Sequence, residues 1–198
     1  MKRRTVLKKM GLTAGFFATT PTVISLLQSC KSDIKTWTPE FLSIDEGTVL
    51  TNLVDIILPK TATPSATELN IPQFIDKYIK NVFDDDEQLE FKSAFANIIS
   101  TLKPNKENRM DDIPQEAYKI LLDKHMLVKE DIDEEREMDP ESLKMTTSEF
   151  LNSIKTLCIK AYITNEGIGE SVLAYDPIPG AYYCGDLQEL TEGRSWSL

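Results

Sequence analysis

Apolar residues recur at three- and four-residue spacing in five segments after residue 42, which predicts five amphipathic helices. The first helix begins at the capping box Ser43-x-x-Glu46 and ends before Pro59. The second opens at Asn70, with Pro72 in its first turn. The apolar stripes that we expect these two helices to bury are Ile44, Leu50, Leu53, Val54 and Ile57, and then Phe74, Ile75, Tyr78, Ile79 and Val82.

Three further helices follow in the second half of the pattern. The third begins in the acidic run at 84–86, the fourth follows Pro114, and the fifth begins at a second capping box, Thr146-x-x-Glu149. Their expected buried stripes are Leu89, Phe95, Ile98, Ile99 and Leu102; Ala117, Ile120, Leu121 and Leu127; and Phe150, Leu151, Ile154, Leu157, Cys158 and Ala161. No segment alternates as a strand does, so we predict an all-α fold, a compact bundle of about five helices.

Two segments interrupt this helical pattern. The connector "LPKTATPSATELNIP" joins the first two helices, and an arm over residues 165–198 closes the chain and looks extended and mostly non-helical. Long irregular segments on compact domains are usually either disordered or functional. The arm carries Tyr175, Tyr182, Tyr183 and Trp196, too many aromatic residues for a solvated tail. Such residues suit a partner interface, although an arm wrapped on its own domain fits any single tyrosine equally well.

The first 29 residues have the charge layout of an export signal. Five basic residues (Lys2, Arg3, Arg4, Lys8 and Lys9) precede a mildly apolar run that Thr, Gly and Pro interrupt too often for a membrane span. Arg3-Arg4-x-Val6-Leu7-Lys8 matches a twin-arginine signal, and the alternative is an ordinary basic segment. Because that route exports folded proteins, it hints at a cofactor somewhere in the exported cargo.

The signal ends in a lipobox-like sequence, Leu27-Gln28-Ser29-Cys30. We interpret Cys30 as a lipidated N-terminus that anchors the mature protein, with a simple soluble product as the alternative. The expected organisation is therefore a signal peptide over 1–29, a tether over 30–42 and a helical domain over 43–198 that includes the arm at 165–198.

The mature chain is strongly acidic. Removing the five basic residues of the signal from the formal net charge of −10 leaves a net charge of −15. This charge argues against nucleic acid as a partner and against direct adhesion to anionic lipid.

Cysteine and histidine are scarce, which limits the metal chemistry. The mature chain keeps Cys158 and Cys184 besides Cys30, too few for a four-thiolate site, and His125 is the one histidine. A disulfide between Cys158 and Cys184 would close a loop of about 25 residues, and a buried free thiol at Cys158 is equally compatible with its place in an apolar stripe.

Two weak motifs do not develop into sites. Gly167-Ile168-Gly169 follows a helix instead of a strand, so helix termination explains it better than nucleotide binding. In the acidic run at 131–137, carboxylates alternate as in a calcium loop, but Arg136 occupies the place that needs glycine. A solvated loop is the simpler interpretation of that run, and we predict neither a metal site nor a cofactor site in this chain.

Two stretches together resemble the gluconate 2-dehydrogenase subunit 3 family. One is "LTNLVDIILPKTATPSATELNIPQFIDKYI", with its helix–Pro–Thr-x-Thr-Pro–helix layout. The other is "AYITNEGIGESVLAYDPIPGAYYCGD" with the later "GRSW". In the second stretch a helix exits through Tyr162, Thr164, Glu166 and Gly167, and a Pro-Gly-x-Tyr turn follows at Pro179.

The resemblance implies a non-catalytic small subunit that escorts, stabilises and anchors a periplasm-facing sugar or polyol dehydrogenase. In that family's complexes a large flavoprotein of the glucose-methanol-choline type holds FAD, and a cytochrome c subunit commonly takes the electrons. The implied partner interface combines the connector and the arm, at Thr61, Thr63, Pro64, Tyr175, Pro179, Gly180, Tyr182, Tyr183, Arg194 and Trp196.

Two other functions remain open at this stage. One is a stand-alone periplasmic lipoprotein that binds a sugar or a peptide with its aromatic arm. The other is an enzyme in its own right that uses Glu166, Asp176 or Tyr182 as acid or base, which lacks a pocket to support it.

Overall fold

The predicted all-α fold is confirmed. The structure, a computed structural model, describes residues 37–103, 109–128, 131–176, 180 and 184–197, and the regular elements in those residues are helices apart from one isolated bridge. They are α1 (Ile44–Ile57), α2 (Ile71–Val82), α3 (Asp85–Leu102), a 3-10 helix (Met110–Asp112), α4 (Gln115–His125), α5 (Glu134–Met138), α6 (Thr147–Ile163), α7 (Glu166–Ser171) and α8 (Leu187–Thr191). All belong to the compact unit that begins at Thr38.

Both predicted capping boxes are present and set the starts of α1 and α6. The Glu46 backbone N–H donates to Ser43 Oγ at 3.3 Å, and the Ser43 N–H donates to Glu46 Oε2 at 2.7 Å. Thr146 and Glu149 make the same reciprocal pair at 3.1 and 2.9 Å. Local hydrogen bonding therefore begins these helices where the sequence predicts.

The predicted start of α2 is correct, but Asn70 does not act through its side chain. Its backbone adopts the left-handed conformation, with φ of 56°, and its side chain makes no capping hydrogen bond. The Ile71 N–H instead donates to the Ala66 carbonyl at 3.0 Å. A tight backbone turn of the connector thus opens the helix, since asparagine tolerates this conformation better than most residues.

Helix α6 lies at the centre of the bundle and packs against α1, α2, α3, α4 and α7. Every residue of its predicted stripe is buried, from Phe150 to Ala161. The Phe150 ring makes edge contacts with Phe91 and Phe95, at centroid distances of 5.5 and 4.8 Å. This aromatic cluster joins α6 to α3 and forms the middle of the core.

The predicted buried stripes of α1 to α4 are only partly correct. Ile44, Phe74, Val82, Leu89 and Ile120 were expected in the core and are exposed. Buried residues that the prediction omitted take the corresponding places: Val49, Ile71, Phe91, Tyr118 and Leu122. Each of these helices packs against at least two elements, and the positions of those neighbours decide which apolar residues are buried.

Two segments expected to be irregular contain short helices. The acidic run forms α5 and is therefore not simply a solvated loop, and the arm contains α7 and α8. None of the described helices is long and apolar enough to cross a membrane.

Candidate partner-binding surface

The arm starts as a direct continuation of the bundle. After α6 ends at Ile163, the Asn165 side chain accepts a hydrogen bond from the Gly167 N–H at 3.0 Å and begins α7. Helix α7 packs against α6 and buries Ile168. The first part of the arm thus belongs to the folded domain.

The end of the arm returns to α7. The Ala174 N–H donates to the Ser195 carbonyl and the Ser197 N–H donates to the Ala174 carbonyl, both at 2.8 Å, which makes a parallel bridge between Ala174 and Trp196. A Cβ atom on Gly169 would lie 2.7 Å from Ser197 Oγ, so the glycine permits this close approach. Contacts between residues about twenty positions apart therefore order both ends of the arm.

The arm directs apolar side chains outward. Tyr175 and Trp196 are 49% and 43% exposed, and α8 exposes Leu187 and Leu190 by 58% and 47%. The buried residue of α8 is Thr191. The tyrosine and tryptophan are among the predicted interface residues, and the two exposed leucines are not. Their spacing of three residues was the available signal, although it is also the usual signal for burial.

Arg194 supports the turn after α8. Its Nε donates to the Thr191 carbonyl at 3.4 Å, and its Nη2 lies 3.0 Å from Glu192 Oε2. Glu192 and Gly193 both have positive φ, at 54° and 75°, so the chain reverses sharply there. Arg194 is exposed at this reversal and holds the backbone that leads to Trp196.

The connector is ordered by its own polar groups. Lys60 forms an ion pair with Glu68. The Glu68 carboxylate also accepts a hydrogen bond from the Ser65 N–H at 3.1 Å. The hydrogen bond from Lys60 lowers the pKa of Glu68. The Thr67 N–H and hydroxyl both donate to the Asp55 carboxylate of α1. The predicted residues Thr61 and Pro64 lie exposed on this loop, and Thr63 is half-buried.

The two predicted interface segments are attached to different helices. The connector is tied to α1 and α2, the arm to α7, and no hydrogen bond or ion pair between described residues joins the two. Gly180 is exposed. The predicted residues Arg3, Arg4, Cys30, Pro179, Tyr182 and Tyr183 lie outside the described residues.

A buried carboxylate, missed by the sequence analysis, attaches the start of the domain to α2. Asp76 is fully buried and accepts backbone hydrogen bonds from Glu40, Phe41 and Leu42 at 2.7, 3.1 and 2.8 Å. The sequence signal was an acidic residue next to buried Ile75 in an otherwise apolar strip. Asp76 therefore fixes the point at which the chain enters the domain.

The two cysteines are free thiols in this structure and do not form a disulfide. Cys158 is buried on α6, where burial and the nearby charge of Asp55 raise its pKa to about 12. Cys184 is exposed in the arm. Of the two alternatives that the sequence left open, the structure therefore has the buried thiol.

Two of the three side chains considered for catalysis lie in the described residues. Glu166 and Asp176 are exposed, and Tyr182 lies outside the described residues. The two carboxylates have no described hydrogen-bond partner that would orient either of them as an acid or base. In the described residues no group of three or more histidine, cysteine or carboxylate side chains could hold a metal ion.

The carboxylates of the acidic run serve local structure. Asp133 accepts from the N–H groups of Glu135 and Arg136 at 3.1 and 3.3 Å, and from the Thr146 hydroxyl at 2.7 Å. Burial opposes ionisation of Asp133, but these hydrogen bonds outweigh it and lower its pKa. Its oxygens cap α5 and hold the start of α6, so the calcium-like spacing has a structural explanation.

A family model described as gluconate 2-dehydrogenase subunit 3 matches residues 44–180, more than half of the chain. The match runs from the start of α1, includes the connector, and ends in the arm before α8. The chain matches no curated protein and no solved structure.

Proposed function

The chain belongs to the gluconate 2-dehydrogenase subunit 3 family, and from this premise we propose that it binds and stabilises a large FAD-dependent sugar or polyol dehydrogenase. Members of this family are accessory subunits of a dehydrogenase complex. We assign the oxidation chemistry and the FAD to the large subunit of the glucose-methanol-choline type, and the transfer of electrons to a cytochrome c subunit. In this proposal the chain itself is not catalytic.

The observation that carries this proposal is the set of exposed apolar side chains in the described parts of the arm. The set consists of Tyr175, Leu187, Leu190 and Trp196, and the bundle has a continuous aromatic core without them. Large apolar side chains that are held in place and left exposed are typical of protein interfaces. Because the described ends of the arm are already held by hydrogen bonds, those ends lose less conformational entropy when a partner binds them.

The connector is proposed as a second part of the same interface. Its residues Thr61 and Pro64 are exposed on a loop that Glu68 and Asp55 hold in one conformation. Proline and internal hydrogen bonds reduce the number of conformations that the free loop can adopt. The large subunit would then contact both segments without needing them to touch each other.

A pull-down in mild detergent tests this function. We expect the tagged protein, expressed in its own host, to retain a large partner, and the eluate to have the absorbance bands of bound flavin. The double variant Leu190→Gln/Trp196→Ala should retain at least about ten-fold less flavin than the unaltered protein, because interface anchors carry most of the binding energy. The control variant Ile44→Gln/Val82→Gln changes two exposed apolar residues of the bundle and should retain it.

A colourless protein eluting alone, from cells that contain the flavoprotein, would contradict the subunit function and favour the stand-alone lipoprotein. Equal flavin retention by the arm variant and the control would remove the arm from the interface while leaving the subunit function intact.

Export and anchoring form a separate proposal that rests on the first thirty residues. We propose that the twin-arginine signal carries the folded complex to the periplasmic side of the envelope and that lipidated Cys30 holds it there. Arg3→Lys/Arg4→Lys should keep the protein and its partner in the cytoplasm. Cys30→Ser should abolish labelling by radioactive palmitate and release the exported protein from the membrane fraction; unchanged labelling would exclude Cys30 as the lipid site.

A further inference from the structure

A furrow lies along α5 on the side of the domain where α3 and α6 meet, and we call it the α5 furrow. It consists of three adjoining concavities of about 400, 170 and 370 Å³. The first two share Glu135, and the last two share Asn97, Lys144 and Met145. The two outer concavities share no lining residue, so the furrow is elongated.

Four of the most exposed apolar side chains in the described residues line this furrow. Ile132 and Met138 lie in the first concavity, and Leu89 and Leu143 lie in the third. Leu143 is 96% exposed. The four side chains form one apolar pair at each end of the depression, and exposed apolar side chains beside a concavity favour binding of another molecule.

Ion pairs and hydrogen bonds give the furrow a defined shape. The Arg136 guanidinium pairs with Glu149 at the start of α6 and also donates to the carbonyls of Ser142 and Lys144. The Thr147 N–H donates to Glu135 Oε2 at 2.8 Å. The segment between α5 and α6 is thereby fixed to the bundle, and the furrow is formed before anything binds to it.

The charge of the residues that line the furrow indicates which kind of molecule could bind there. Seven carboxylates line the three concavities (Asp86, Glu90, Asp131, Asp133, Glu134, Glu135 and Asp139), against three cationic side chains (Lys124, Lys144 and Arg136). Arg136 is already paired with Glu149. The excess of negative charge favours a basic occupant, and it disfavours anionic lipid, nucleic acid and a second copy of this acidic chain.

We propose that the α5 furrow binds a basic amphipathic helix of a second protein partner, at a surface separate from the arm. An amphipathic helix offers apolar anchors at three- and four-residue spacing, which fits apolar positions distributed along an elongated depression. Its basic face meets the carboxylates on the rim. The accessory subunit then has two docking surfaces of different chemistry, one with exposed aromatic and leucine side chains on the arm and an acidic one at the furrow.

Binding of a designed peptide to the purified full-length protein tests this proposal. The probe is an 18-residue Leu/Lys helical peptide with a fluorophore, and its counterpart has Glu in place of every Lys. We expect the Leu/Lys peptide to bind with an anisotropy change that weakens steeply with salt, and the Leu/Glu peptide not to bind. Hydrogen exchange should show protection by the peptide at α5 and residues 139–145.

Matched variants separate furrow binding from general attraction to an acidic protein. Met138→Gln/Leu143→Gln should weaken the peptide dissociation constant at least about ten-fold, whereas Ile44→Gln/Val82→Gln should leave it unchanged. Glu90→Gln/Glu134→Gln should weaken it about five-fold and flatten its salt dependence, whereas the exposed pair Glu170→Gln/Glu189→Gln should not. Circular dichroism of each variant checks that the helices are retained.

Three results would overturn the proposal. One is equal weakening by the furrow variants and their controls, because binding would then be diffuse charge attraction. Another is protection confined to the arm. The third is no binding of the Leu/Lys peptide even at low salt. None of these outcomes depends on the flavoprotein pull-down, so the furrow and the proposed function can fail separately.

Discussion

Helix α6 and the C-terminal arm use similar side chains for opposite purposes. Helix α6 has 17 residues, a complete capping box and an apolar stripe that is buried from Phe150 to Ala161. In the arm, α8 has five residues, and its leucines and the nearby Tyr175 and Trp196 point outward. The difference teaches that apolar periodicity identifies a helix and a face, whereas the neighbouring elements determine whether that face is buried or exposed.

The two regions also differ in how they are held. Four helices besides α7 surround α6, and an aromatic cluster joins it to α3. The end of the arm is held by two backbone hydrogen bonds to Ala174 and by close packing on Gly169. We therefore expect substitutions in α6 to change the stability of the whole domain, and substitutions in the arm to change local order and partner binding.

Thiol reactivity should show the largest contrast. Cys158 on α6 is buried with a pKa of about 12, so its thiolate fraction at pH 8 is only about 10⁻⁴, and Cys184 in the arm is exposed. Iodoacetamide should label Cys184 at least about 10³-fold faster in the native protein, as measured by mass spectrometry of the two peptides. Both should react in guanidinium chloride. Comparable native rates would show that α6 opens far more readily than its packing indicates.

Truncation of one apolar side chain in each region should separate core from surface. Phe150→Ala removes a fully buried ring and should lower the free energy of unfolding by about 3–5 kcal/mol. Leu190→Ala removes an exposed side chain of α8 and should change it by less than about 0.5 kcal/mol. Urea titration measures both, and a loss above about 1 kcal/mol for Leu190→Ala would place α8 in the core.

A matched pair of carboxylates extends the comparison to polar groups. Asp76→Ala leaves three backbone N–H groups without their acceptor and should cost about 2–3 kcal/mol of unfolding free energy. Asp186→Ala removes the exposed cap of α8, which accepts from the Gln188 N–H at 2.7 Å, and should cost under about 1 kcal/mol globally. Equal losses would mean that the arm and the bundle unfold as one unit.

The contact between Gly169 and Ser197 tests how the arm is attached. Gly169→Ala puts a Cβ atom 2.7 Å from Ser197 Oγ, so the serine must move. We expect faster hydrogen exchange at residues 194–197 and a global loss below about 1 kcal/mol. Adding Ser197→Ala removes the crowded oxygen and should restore the original exchange rates. Failure of this second change to restore them would place the strain elsewhere in α7.

Acid should weaken the start of α6 before it affects the arm, and this effect should be the smallest. Burial opposes ionisation of Glu149, but hydrogen bonds from the Thr146 backbone and from Arg136 outweigh it, and the pKa of Glu149 is lowered, as is that of Asp133. A lowered pKa in the folded state gives stability that is present above the ordinary carboxyl pKa and lost as pH falls through the folded value.

The unfolding free energy measured in urea should therefore be level from pH 7 to about 5 and fall below about pH 4.5. Glu149→Gln should reduce this fall, and the arm variant Glu189→Gln should not. An identical pH profile for both variants would assign the acid sensitivity to other carboxylates.

The sequence predicted the helix starts well because capping is a local interaction. Ser43 with Glu46 and Thr146 with Glu149 each lie three residues apart, so their hydrogen bonds need no distant partner. The stripe of α6 was also predicted in full, since each of its residues faces a packed neighbour and is buried. Tyr175 and Trp196 are 49% and 43% exposed, and their predicted place in a partner interface stays a prediction.

The remaining features depend on residues that are distant in the chain. Asp76 is buried because residues 40–42 pack over it, and Trp196 is placed by its bridge to Ala174. Leu143 is part of a furrow because Arg136 and Glu149 hold the segment before α6 against the bundle. Local hydrogen bonds and periodicity specify where helices begin and which faces are apolar, whereas burial is a property of two surfaces in contact. The second surface emerges only when the helices have packed, and that packing separates the core of this domain from its exposed apolar surfaces.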